Sequence, residues 1–154
     1  MAILSLRTVR TLSAILYGAI ALALAGCSSK VTGPQTQSAT GQTVAITVSV
    51  RPGLPQDSGY ATANASAQTG DNTLIVNIHD LNTNAPIADA NVTAAPSSSL
   101  IDQQATESGR SQGNGVYWVP IRFGVPDDYK VEVDVQRPGQ RFPETFDFNF
   151  TVSQ

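Results

Sequence analysis

Residues 129–136 read YKVEVDVQ, and residues 145–152 read TFDFNFTV. In the first, Tyr129, Val131, Val133 and Val135 alternate with Lys130, Glu132, Asp134 and Gln136. In the second, Phe146, Phe148, Phe150 and Val152 alternate with Thr145, Asp147, Asn149 and Thr151. Successive side chains of an extended strand point to opposite faces, so this period of two predicts strands with one face buried and one in water.

Working outward, the same period runs through most of the chain. TVAITVSV (43–50) sets Val44, Ile46, Val48 and Val50 on one face, and TLIVNIHD (73–80) does so with Leu74, Val76 and Ile78. ANVTA (90–94) offers Ala90, Val92 and Ala94, and GVYWVPIRF (115–123) offers Tyr117, Val119, Ile121 and Phe123. Turn-forming residues separate the runs at Asn82–Pro86, Gly124–Asp128 and Arg137–Gly139. YATANASA (60–67) alternates with alanine on one face, which suits a weak edge strand or a loop. No segment from Thr43 onward carries a helical stripe. Six or seven short strands in this length predict an all-β fold, an immunoglobulin-like antiparallel β-sandwich of about seven strands. Its expected core includes Val48, Val76, Val92, Tyr117, Val131, Val133, Phe148 and Phe150.

The N-terminus has a different character. Met1–Arg10 carries Arg7 and Arg10 and no acid, and Thr11–Gly26 is an uncharged run rich in Leu, Ala and Ile. A basic start, a short apolar stretch and small residues at its end form a secretory signal pattern. The run is shorter than the roughly 20 residues a spanning helix needs.

Leu24, Ala25, Gly26 and Cys27 close that run and resemble the lipobox of bacterial lipoproteins. The resemblance implies cleavage by signal peptidase II before Cys27 and a diacylglyceryl group on its sulfur, with a further acyl chain on the new amino terminus. A thiolate is a suitable nucleophile for that thioether, and two or more acyl chains hold a protein stably on a bilayer. Cys27 is the single cysteine, so no intramolecular disulfide competes for it. Ser28, where an aspartate would favour inner-membrane retention, implies the periplasmic face of the outer membrane if the cell has two membranes. The expected plan is a removed signal peptide (1–26), the lipidated cysteine with a flexible tether (27–42), and one domain (43–154). The tether, SSKVTGPQTQSATGQ, is too polar to bury itself. Its fifteen residues span at most about 50 Å.

Cleavage would leave seven basic against twelve acidic residues. That balance argues against nucleic acid and anionic lipid surfaces as partners.

A second resemblance lies in GDNTLIVNIHDLNTNAPIADANV (70–92), followed by Gly115-Val116-Tyr117 and Tyr129–Val133. The order Gly70, Asn72, a hydrophobic strand, Asp80, Pro86-Ile87, Ala90 and Val92 is similar to the YtkA-like domain. The resemblance implies an immunoglobulin-type sandwich and, through its FixH relatives, copper handling or oxidase assembly. The residues depart from that chemistry. Copper(I) takes thioether, thiolate or imidazole ligands. Met1 falls in the signal, Cys27 is expected to be lipidated, and His79 is the one imidazole. No metal or other cofactor is therefore expected.

The remaining polar residues have structural readings. His79 alternates with the apolar face of its strand, and a lone histidine lacks the converging ligands a metal site needs. Asp80-Leu81-Asn82-Thr83-Asn84 begins like a calcium loop, but Ala85 stands where glycine is required and Asn91 where glutamate is. An Asx-rich turn is expected instead. Asp127 and Asp128 read as turn residues. Gly115 before Tyr117 is similar to a tyrosine corner, with the hydroxyl bonded to nearby backbone. Trp118 should then face away from Tyr117. Asn64, Asn91 and Asn149 lie in N-x-S/T triplets without meaning in a bacterial lipoprotein. No serine has the base and orienting partner of a hydrolase. The expected function is a non-catalytic, membrane-anchored envelope lipoprotein binding another envelope protein. Alternatives are a copper or oxidase accessory factor, or an adhesin or carbohydrate-binding module using Trp118 and Tyr60.

Overall fold

The computed structural model describes residues 35–55, 66–102 and 104–154. Nine strands follow in chain order: β1 (Thr36–Thr40), β2 (Val44–Pro52), β3 (Gly70–Asp80), β4 (Asn91–Ser98), β5 (Glu107–Ser108), β6 (Arg110–Gly113), β7 (Val116–Phe123), β8 (Asp128–Gln136) and β9 (Glu144–Thr151). They form two antiparallel sheets, β1-β2-β3-β7-β6 and β5-β4-β8-β9. The described residues contain no helix. The fold is the antiparallel β-sandwich that the alternation predicts.

Register explains why the alternation was so clean. Val48 pairs with Val76 and Val76 with Tyr117, so one row of inward residues crosses three strands. On the opposing sheet, Val131 pairs with Phe148 and Tyr129 with Phe150. All eight expected core residues are buried. Side chains of this kind each contribute about 1.5–3 kcal/mol when removed from water. Tyr129 stacks its ring 4.6 Å from that of Phe123 at 51°, and its hydroxyl accepts the N–H of Gly124 (3.1 Å) and Val125 (3.2 Å). These two local bonds fix the turn between β7 and β8.

Two departures from the sequence expectation concern edges. At one seam the chain switches sheets: β5 pairs with β4, Gly109 donates to the Val92 carbonyl (2.8 Å), and β6 then pairs with β7. These short exposed strands carry no apolar alternation. At the other seam lies β1, inside the segment expected to be a tether. Thr36–Thr40 pairs in register with Ala45–Ser49 of β2. Its preceding and second residues also reach the other sheet. The Gln35 side-chain amide donates to the Thr151 carbonyl (2.6 Å) and accepts the Thr151 N–H (2.9 Å). Gln37 does the same two residues along, donating to the Asn149 carbonyl and accepting the Asn149 N–H (3.2 Å). Two glutamine amides thus mimic peptide groups along the edge of β9. β1 is held without an apolar face of its own, because backbone pairing and these amides replace the missing apolar burial.

Candidate functional site

The two ends of the sandwich differ. β1 starts at the end that holds Thr151, Asp128 and Phe123, and finishes at the end that holds the β1–β2 turn and the β8–β9 loop. The described chain therefore enters the sandwich at the first end, and the second is the far end.

A continuous polar network builds the far end. Arg137 donates to Asp80 Oδ2 at 2.8 Å, with the pair largely covered. The backbone N–H of Arg137 donates to Gln140 Oε1 (3.0 Å), and Gln140 Nε2 donates to Thr43 Oγ1 (3.1 Å). The Thr43 hydroxyl donates in turn to Glu144. Glu144 also accepts the N–H groups of Gln42 (2.6 Å) and Thr43 (3.0 Å). Burial opposes ionisation of Glu144, but the Thr43 hydroxyl, both N–H groups and the Gln140 amide outweigh it, so its pKa lies below the ordinary value. Gly41 sits directly against this carboxylate and the Phe146 ring, leaving no room for a Cβ.

The network holds the loop after β8 against the β1–β2 turn and encloses a groove of about 710 Å³. On its rim Phe142 is 70% exposed, with the Arg141 guanidinium 5.3 Å from its ring centre. Leu81, on the adjoining turn, is a second exposed apolar residue and donates its N–H to the Thr43 carbonyl (2.9 Å). A fixed loop that presents an aromatic ring to water is a candidate contact site, since aromatic and arginine side chains dominate the energetics of protein interfaces. The sequence expectation missed it. Its signal is that Phe142, between Arg141 and Pro143, falls outside every alternating run.

The residues singled out from sequence fall elsewhere. Leu24, Ala25, Gly26, Cys27, Tyr60 and Asn64 lie outside the described residues. His79 is half-buried on the outer face of β3, pairs with Ala45, and bridges Pro86 through the backbone. Among the described residues no three His, Cys, Asp or Glu side chains form a group that could hold a metal. Asp80 caps its own turn: Oδ1 accepts from Asn82 N (3.0 Å), Thr83 N (2.9 Å) and the Thr83 hydroxyl (3.0 Å). The Thr83 N–H, Arg137 and the Thr83 hydroxyl hold its pKa at about 2. Asn84 takes the left-handed conformation, φ 56°, in this Asx-rich turn. Asp127 likewise binds the hydroxyls of its neighbours, Ser98 first, which lower its pKa.

Tyr117 is buried and its hydroxyl is bonded to backbone, though farther along the chain than expected. It donates to the Ile87 carbonyl (3.0 Å) and accepts the Ala90 N–H (2.9 Å), which ties β7 to the segment entering β4. Burial raises its pKa. Trp118 faces outward and is half-buried, between Ile75 and Arg110 in register.

The fold is similar to that of a copper-bound variant of FetP from uropathogenic Escherichia coli, at TM-score 0.53 and 15% identity over 79% of this chain and 92% of that one. A DUF4426 family protein from Pseudomonas aeruginosa aligns at TM-score 0.49 and 11% identity, over 76% of this chain and 96% of that one. No protein-family model and no curated protein matches the sequence. The FetP likeness supports the type of sandwich that the YtkA-like pattern implies.

Proposed function

We propose that this chain is a non-catalytic envelope lipoprotein, anchored through Cys27, whose β-sandwich binds another envelope protein with its far end. The observation that carries the reading is the Arg141–Phe142 tip, held by the network from Asp80 to Glu144 yet exposed. Pre-organisation of this kind lowers the entropy lost on binding. The lipobox supports the anchor. With Gln35 already in the fold, only residues 28–34 separate it from Cys27, a reach of at most about 25 Å. The domain would ride close to the bilayer, on the periplasmic face of the outer membrane in a diderm cell, with Phe142 pointing away from it.

The test is co-purification from detergent-solubilised envelopes with the native chain and with Arg141→Ala/Phe142→Ala. A partner held by the native chain should be lost from the double variant while its melting temperature stays the same. Equal recovery would contradict the reading.

The FetP likeness favours a second reading, a copper-handling accessory factor, because that protein was solved with copper bound. His79 would be the one imidazole available, so a complete soft-ligand site would need a partner chain. Competition titration of the purified chain against a Cu(I) chelator, repeated with His79→Ala, decides this. Stoichiometric capture by the isolated chain that disappears in the variant would establish the copper reading. No capture leaves the contact reading in place.

A further inference from the structure

We propose that β1 is an exchangeable strand, and that the seam between β2 and β9 accepts β1 of a second copy of this chain. Three observations carry this. First, β1 is fixed almost wholly by polar bonds: Thr36, Ser38 and Thr40 are exposed, and only Gln37 and Ala39 are partly covered. Segments with few buried apolar contacts open at low free energy. Second, the strand beneath is the opposite. Val44, Ile46, Val48 and Val50 of β2 are buried on its inward face, so an opened seam leaves a nine-residue core strand with its backbone groups unpaired along Ala45–Ser49, an edge that pairs readily with another strand.

Third, the seam is specific for its occupant. A strand that fills it must pair with Ala45–Ser49 on one side and present long amides at alternate positions to Asn149 and Thr151 on the other. Gln35 and Gln37 of a second copy meet that demand by construction. Every bond of the closed form is remade in the exchanged form; the two differ at the β1–β2 turn, which becomes the hinge. Gly41 N donates to the Val44 carbonyl there (2.9 Å), and Glu144 clamps Gln42 and Thr43. Glu144 is thus the lock of the hinge.

The hydroxyls of Ser38 and Thr47 lie 2.8 Å apart across β1 and β2, so cysteines at these positions can bridge. Two differently tagged full-length chains, one Ser38→Cys and one Thr47→Cys, are co-expressed and treated with diamide. The proposal expects a covalent heterodimer carrying both tags. That product should be missing when Thr47→Cys is replaced by Thr145→Cys on the outer face of the other sheet, and when both chains carry Cys27 alone. Adding Glu144→Ala to both chains should raise the heterodimer fraction. Both cysteines in one chain should also give an internal bridge. A heterodimer no stronger than the controls, alongside that internal bridge, overturns the exchange. Failure of the internal bridge overturns the register it rests on, and an unchanged fraction in the Glu144→Ala pair overturns the hinge.

Discussion

At the scale of single residues, stability is concentrated where inward rows from the two sheets meet. Phe148 lies opposite Val131 in register and is buried. Phe148→Ala should cost roughly 3–5 kcal/mol, because a cavity adds to the lost transfer energy, and urea unfolding measures it directly. Asp80 gives a pH signature. Its folded pKa falls from an ordinary 3.8 to about 2, so the stabilisation is complete above pH 4 and is lost as pH drops toward 2. Asp80→Asn should therefore flatten the acid side of a stability–pH curve between these values and leave its slope near neutrality unchanged. An unaltered acid limb would show that the Arg137 and Thr83 bonds do not differ from those in the unfolded chain. Gly115 has φ +74°, and a Cβ there would run into the Ile78 carbonyl, so this turn admits no other residue without moving β3 or β7.

At the scale of elements, the strands of the core were legible because burial on one face writes itself into every second residue. β1 was not. TQSAT carries no apolar alternation, and its support comes from backbone pairing with β2 and from glutamine amides on β9, more than a hundred positions away. Neither contribution leaves a local pattern. The consequence is measurable. Gln35→Ala/Gln37→Ala removes four side-chain hydrogen bonds, each worth about 0.5–1.5 kcal/mol net and less where exposed. Amide exchange in β1 and along β2 should accelerate while β4 and β8 stay protected. Uniform acceleration across both sheets would mean that β1 is part of the cooperative core. The Arg141–Phe142 tip escaped sequence reading for a related reason: it sits between two clear strands, and only the three-dimensional network shows that its loop is held in place.

At the scale of the whole molecule, the proposed anchor at Cys27 and the proposed contact tip at Phe142 lie toward opposite ends of the chain's path. Cys27→Ala should release the protein from the membrane fraction and abolish palmitate incorporation; a variant that still pellets and washes off only in detergent would contradict the anchor. The central claim is that the far end meets a protein partner, and it is tested most directly by placing a photo-crosslinking amino acid at Phe142 in the anchored protein in living cells. Asn149, exposed on the outer face of β9, serves as the comparison position. A discrete heavier adduct from position 142, absent or much weaker from position 149, is the predicted result. Adducts from 149 alone, or none from 142, would contradict it.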